Sequence, residues 1–427
     1  MKSETGVRRM RAALWARSAR GYVTTVGATL AALAVMSVGL APAATADDIQ
    51  SQQWYLDAMN AQGLWKVSTG KGISVAVVDT GVNPETNSLK GQVLPGVDVT
   101  GTAGDETDDY VGHGTSMAEL IAGTGRGGGL KGVAPGAKII PIRTVLLGIG
   151  KKGEEQGDTS AKAIRAAADS DAKIISMSFG DDSTAEGEIE AVQYARGKGK
   201  LLIASVGNGA DKGENYIGYP AKYPGVVGVS AINENGEVAK FSESGAYVDL
   251  ASPGVDVPVW CNNKFKSYCS KSAGTSQATA ITSGAAALIW SVHPKWTANQ
   301  VLRVMIDTAG RDWPKNTPSR YLGYGTIRPA QVLLKGKGDP GAADIDPVSN
   351  KKTPGLTTGT AASPSASASA STSSQAPNST SGGQTSAAAS TSDSSGNTTL
   401  WIALGAAAAV VVLGGGAFAV ARSRRGV

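Results

Sequence analysis

The chain has 427 residues, with 40 lysines and arginines against 35 acidic residues, two cysteines and two histidines. That length can hold one large core or two. The net charge of +5 comes with arginines gathered at the two ends, at Arg8, Arg9, Arg11, Arg17 and Arg20 and again at Arg422, Arg424 and Arg425, where they flank apolar runs; this is a membrane-topology pattern and excludes a nucleic-acid footprint.

In chain order, the first 46 residues have the parts of a secretory signal: a basic start, an apolar run from Tyr22 to Leu40, and small residues at Ala44 and Ala46. The Ala-Thr-Ala ending favours cleavage after Ala46 over an uncleaved anchor, and either way the middle of the chain is exported. Residues 47–71 read as a short N-terminal extension and residues 72–338 as the globular domain. Within that domain, Ile73 to Val78, Ile139 to Ile142, Ile174 to Ser178, Leu201 to Val206 and Val226 to Ala231 are short β-branched runs that predict buried strands. Ser160 to Ser170 and Glu186 to Gly197 have the helical pattern between them. The alternation predicts an α/β fold, a mainly parallel central sheet with helices on both faces, with chemistry at the carboxyl ends of the strands.

Asp79 ends the first of these strands, where a carboxylate can orient an imidazole, although an Asp in such a place is more often a turn residue. His113, one of two histidines, lies between Gly112 and Gly114 and opens an apolar helical run from Met117 to Ala122. A base of near-neutral pKa is what a serine hydrolase needs there, whereas His293 precedes Pro294 at a helix end and reads as structural. Asn208 follows the apolar run ending at Val206 and could donate its side-chain amide to an oxyanion. Cys261 and Cys269 are an even pair in an exported region, which favours a disulfide closing a small loop over two free thiols. Ser276 stands in Gly274-Thr275-Ser276 at the start of a helix dense in small residues, where free amides and the helix dipole favour a developing negative charge. Each residue has a plainer reading as a turn, cap or core group; the order Asp, His, Asn, Ser is what joins them.

From residue 339 to 399 the sequence turns to Ser, Thr, Ala, Gly and Pro, as in the run from Ser363 to Ser373. Such a composition cannot bury enough surface to offset chain entropy and predicts an extended stalk. Leu400 to Val420 is an uncharged apolar run about 31 Å long as a helix, enough for a bilayer core. The basic residues that follow, in the tail 421–427, place the tail in the cytoplasm and the domain outside.

The motifs AVVDTGV around Asp79, GHGTSMAELIAG around His113, GVAPGAKIIPIR at Gly132 to Arg143, SMSFG at Ser176 to Gly180, SVGNGA around Asn208 and GTSQATA around Ser276 resemble those of the subtilisin-like serine protease family, over about Gln50 to Ala330. The triad order Asp, His, Ser is also the subtilisin order. The resemblance implies a three-layer subtilisin-like fold and a serine endopeptidase with Asp79, His113 and Ser276 as its triad and Asn208 in its oxyanion hole. It also implies that Ser178, Phe179 and Gly180 pair with substrate backbone and wall the first specificity pocket, with Gly218 at its base. The chain departs from the family at Ala280, where a proline is usual, at Gln277, commonly methionine, and in the shortened stretch Pro84 to Leu89. No cofactor or metal is expected.

Within the family, the signal, the QQWYLDAMNAQGLWKVSTGKGI segment, the stalk and the single carboxyl-terminal span resemble the mycosin group, membrane-anchored subtilases associated with type VII secretion. This implies an enzyme held at the cell membrane by one C-terminal helix, its catalytic domain extracellular, with protein or peptide substrates and a type VII secretion membrane complex as partners. A different class of function is compatible with the same features: a structural component that stabilises or caps a secretion complex, with proteolysis secondary.

Overall fold

The structure is a computed structural model, and it describes residues 49–144, 159–213 and 216–356. The predicted signal, the stalk from residue 357 onward, the apolar span and the basic tail lie outside the described residues. Among the described residues, no helix is long and apolar enough to cross a membrane.

In chain order the elements are α1 (Trp54–Ala58), α2 (Ala61–Trp65), β1 (Ser74–Asp79), β2 (Val97–Asp98), α3 (His113–Ala122), β3 (Lys138–Arg143), α4 (Ser160–Asp169), β4 (Ile174–Met177), α5 (Glu188–Gly197), β5 (Leu201–Ser205), β6 (Val226–Ile232), β7 (Leu250–Pro253), β8 (Val257–Trp260), β9 (Tyr268–Ser272), α6 (Thr275–Val292), α7 (Ala298–Thr308) and α8 (Pro329–Leu333). Strands β1 to β7 form one sheet in the order β2-β3-β1-β4-β5-β6-β7, parallel throughout, and β8 and β9 form a separate antiparallel hairpin. This is the expected parallel α/β architecture, and the five predicted strands are β1, β3, β4, β5 and β6.

Strand β1 shows why an unbroken apolar run makes a central strand. Val75 and Val77 belong to the core that includes Ala278, Ala285 and Leu288 of α6, whereas Ala76 and Val78 belong to the core that includes Ala163 and Ile164 of α4 and Val192 of α5. Alternate side chains face opposite sides, so a strand covered on both sides has no polar position to give up. β1 pairs with β3 on one side and β4 on the other. The order reverses at this strand, the place where a site is expected in such a sheet, and Asp79 ends it.

Helix α6 is made mostly of Ala, Ser, Thr and Gly because it runs through the middle of the molecule. A Cβ on Gly284 would come within 2.8 Å of the Val133 side chain. The hydroxyls such a helix buries are satisfied by the preceding turn, as when Thr279, Thr282 and Ser283 donate to the carbonyls of Thr275, Ala278 and Thr279.

Both ends of the described chain pack onto this body. In the N-terminal extension Tyr55 and Leu64 are fully buried. Its indole N–H groups find carbonyls in the domain, Trp54 at Val255 and Trp65 at Val133, and Gln53 exchanges two hydrogen bonds with the backbone of Lys131.

At the other end, residues 339–356 were expected to belong to the stalk from their composition, but here they form a strap across α5 and α7. Polar contacts hold it where apolar ones are scarce. Arg196 pairs with Asp346 at 2.6 Å, both nearly buried, Asn299 donates to Thr353, and Thr297 donates to the carbonyl of Ala343.

Candidate active site

Asp79 is buried at the end of β1. Its Oδ1 accepts from the Thr80 amide at 2.8 Å and lies 2.7 Å from His113 Nδ1. The imidazole is the first residue of α3, and its two glycine neighbours each have a steric reason. Gly112, just before the helix, has φ 89°, a left-handed backbone conformation that favours glycine. At Gly114 a Cβ would stand 2.2 Å from the Gly81 carbonyl oxygen and 3.2 Å from Asp79 Oδ1. The close approach of helix to strand end is what lets an aspartate side chain reach the ring.

Burial alone would lower the proton affinity of His113. The charge of Asp79 and its hydrogen bond outweigh that effect, Asp109 adds to it, and the pKa is raised above 6.5. With Nδ1–H held by Asp79, Nε2 is the atom left to accept a proton.

Ser276 is the second residue of α6. It is locked reciprocally to Ser178, the residue after β4: Ser276 Oγ donates to the Ser178 carbonyl at 3.0 Å, and Ser178 Oγ donates to the Ser276 carbonyl at 3.2 Å. Among the described residues, no hydrogen bond joins the imidazole to the serine hydroxyl, which are on the packed helices α3 and α6.

Asn208 follows β5 and is exposed. Its Oδ1 accepts from both the amide and the hydroxyl of Thr275, at 2.8 and 3.0 Å. That assignment fixes the side-chain amide: the oxygen faces Thr275 and the NH2 group is turned away from it, with its donors uncommitted. Asn208 is thus tied to the residue next to Ser276.

The predicted pocket residues divide. Gly180 and Gly218 approach each other closely, with a Cβ on Gly180 coming 3.9 Å from Gly218 Cα and 3.6 Å from the Ser205 carbonyl. Asp181 and Tyr219 exchange two backbone hydrogen bonds just beyond them. The ring of Phe179, however, packs against the core beneath α4 and α5, so that residue has its backbone to offer a wall.

Cys261 and Cys269 form a disulfide that closes the β8–β9 hairpin. The hairpin leads towards Ser276 and also reaches the loop just before His113. Asn263 Nδ2 donates to the Tyr110 carbonyl at 2.7 Å, and the Asn262 backbone is 3.1 Å from where a Gly112 Cβ would be.

Three buried acids nearby were not singled out by the sequence reading. Asp109 lies in the loop before α3, and Glu119 is inside α3, where Thr86 and Tyr268 donate to it at 2.6 and 2.7 Å. Glu243 accepts from the Gly209 amide, next to Asn208. A charge inside the apolar stretch from Met117 to Ala122 was the one available signal, at Glu119. Among the described residues, no cluster of three or more His, Cys, Asp or Glu side chains could hold a metal.

This geometry has close parallels. Residues 70–325 match the Peptidase_S8 model of the subtilase family. Thermitase of Thermoactinomyces vulgaris is 33% identical over 281 residues, which are 64% of this chain and 95% of that protein. The minor extracellular protease Epr of Bacillus subtilis is 31% identical over 284 residues, 65% of this chain, and the match spans 41% of that longer protein.

Among solved structures, the MycP3 protease from the type VII (ESX-3) secretion system is similar with a TM-score of 0.55 and 29% identity, covering 66% of this chain and 87% of that one. MycP1 from Mycobacterium smegmatis is similar with a TM-score of 0.56 and 26% identity, covering 68% and 86%. With a family match over more than half its length and the subtilisin-like parallel sheet beneath it, the chain belongs to the subtilase family of serine endopeptidases.

Proposed function

We propose that Asp79, His113 and Ser276 are the catalytic triad of a membrane-anchored extracellular endopeptidase that works with a type VII secretion apparatus. The observation that carries the catalytic part is the 2.7 Å contact of His113 Nδ1 with the buried Asp79. It leaves Nε2 free to act as the base.

In the reaction, Ser276 Oγ leaves the Ser178 carbonyl, gives its proton to His113 Nε2 and attacks the peptide carbonyl. Asp79 holds the ring and stabilises the imidazolium. Negative charge on the former carbonyl oxygen is met by the amide of Ser276, in the first turn of α6, and by the NH2 group of Asn208. His113 then returns the proton to the leaving amine, and water hydrolyses the acyl-enzyme. Substrate backbone pairs with Ser178 to Gly180, and the first side chain enters between Gly180 and Gly218. The groups named here need no cofactor.

Support for the setting comes from outside the described residues: the signal to Ala46, the stalk and the apolar span Leu400 to Val420. The secretion association is supported by the similarity to the MycP3 and MycP1 proteases. The domain then consists of residues 49–356, and the tether begins beyond the strap.

The test is Ser276→Ala in the full chain, read by terminal-peptide mass spectrometry of secreted proteins and by peptide turnover of the purified variant. Turnover should vanish without unfolding, and retained turnover rules out the triad. Secretion that survives Ser276→Ala but not deletion of the protein would assign the secretion role to the body of the domain.

A further inference from the structure

We propose that Asp109 is a positioning residue for the reaction, whose carboxylate fastens the first turn of α3 onto the Asp79 turn and is the second anion that His113 meets on taking up the serine proton. The proposal rests on the reading of His113 as the general base.

Asp109 is buried and forms no ion pair among the described residues. A buried carboxylate without a cation needs donors, and Asp109 has five. Its Oδ1 accepts from Thr80 Oγ1 at 2.8 Å, the Val111 amide at 3.1 Å and the Gly112 amide at 2.7 Å. Its Oδ2 accepts from the amide and hydroxyl of Thr115, at 2.9 and 2.7 Å.

These donors are the frame of the catalytic base. Gly112 precedes α3 and provides no side chain to cap it. Asp109 supplies the missing cap from outside the helix by taking the Thr115 amide, in the position where a capping side chain would accept, and its charge sits favourably at the positive end of the helix. Thr80 carries the connection to the strand. Its hydroxyl donates to Asp109 and accepts from the Gly114 amide at 3.0 Å, while its own amide holds Asp79 Oδ1. The chain between follows the same contact, since a Cβ on Gly81 would meet the Asp108 carbonyl at 2.6 Å. The two residues flanking His113 are thus both bound, directly or through Thr80, to one carboxylate.

Two anions act on the ring. Asp79 comes from β1 and Asp109 from the loop. Arg143, at the end of β3, is directed to Asp98 and to the carbonyls of Ala103 and Asp105, with its guanidinium over the Tyr110 ring. The hairpin brings the backbone of Asn262 and Asn263 to Gly112, the residue before His113, with Lys264 exposed next in the chain. Both anions raise the proton affinity of His113, and removing one should lower it.

The experiment compares full-length wild type with Asp109→Asn, Thr80→Val and Ser276→Ala, measuring fold by circular dichroism and kcat and KM against pH on a peptide substrate. Asp109→Asn keeps the shape, and Thr80→Val removes one link of the frame. Asp109→Asn should lower kcat about tenfold to a hundredfold through misplacement of the base, leave KM nearly unchanged, and move the acidic limb of kcat/KM to lower pH. Thr80→Val should lower kcat with KM nearly unchanged. A folded Asp109→Asn with wild-type kcat and an unmoved acidic limb overturns the proposal. If Asp109→Asn does not fold, a wild-type kcat in Thr80→Val overturns it instead. Activity in Ser276→Ala would overturn the triad itself, so failure of the positioning role is seen only against an inactive Ser276→Ala.

Discussion

Glu119 offers the sharpest test of the energetics around α3. Its side chain is fully buried, and burial pushes its carboxyl from an ordinary 4.5 up to about 7, against the lowering effect of the hydrogen bonds from Thr86 and Tyr268. An acid whose pKa is higher in the folded state binds its proton more tightly there than in the unfolded chain. Below pH 4.5 both states are protonated and stability does not suffer. Between 4.5 and about 7 the unfolded chain ionises first and stability falls; above about 7 the whole penalty is present. A gap of that size corresponds to about 3 kcal/mol. Glu119→Gln is permanently neutral and can still accept from Thr86 while donating to the Tyr268 hydroxyl. In a Ser276→Ala background, chosen to remove the proposed nucleophile, the two proteins should unfold in urea with similar free energies near pH 4, and the Gln variant should gain about 3 kcal/mol over its parent by about pH 8. A difference that stays flat across this range would refute the reasoning, because it would mean that Glu119 ionises in the folded protein as readily as in the unfolded one.

On the proposed oxyanion role of Asn208, whose NH2 group would act on charge that exists only in the transition state, Asn208→Ala should lower kcat by about a hundredfold to a thousandfold with KM little changed, as measured by steady-state peptide cleavage. Because His113 must be neutral to act and its pKa is raised, kcat/KM should climb with pH through a midpoint above 6.5; a midpoint at or below that value in a pH-rate profile would contradict the electrostatics. Asp346→Ala should cost about 3 kcal/mol or more in urea unfolding, because it strands the largely buried Arg196 without its partner.

How much could be read in advance depended on whether a residue's neighbours in sequence decided its place. Strand β1 was legible because both faces are buried and its apolar run is unbroken, and Asp79 because it ends that run. His113 and Ser276 were legible for a similar reason, since each sits at the start of a helix with small residues around it. Phe179 was expected in a pocket wall by its place in the motif, and the motif did not foretell that its ring also packs against the core. The buried acids were harder still. An ionised carboxylate can be taken out of water only where donors converge on it, and those donors come from far along the chain. Thr80 reaches Asp109 across 29 residues, Tyr268 reaches Glu119 across 149, and Arg196 reaches Asp346 across 150. The same fact accounts for the strap. Its composition predicted a stalk because only apolar side chains were weighed against chain entropy, whereas Arg196, Asn299 and Thr297 anchor it through polar groups whose partners a local window does not contain. Apolar pattern therefore gave the sheet and the places of Asp79, His113 and Ser276 at the ends of its elements. The buried acids packed around those three residues became visible only when the chain had folded distant donors onto them.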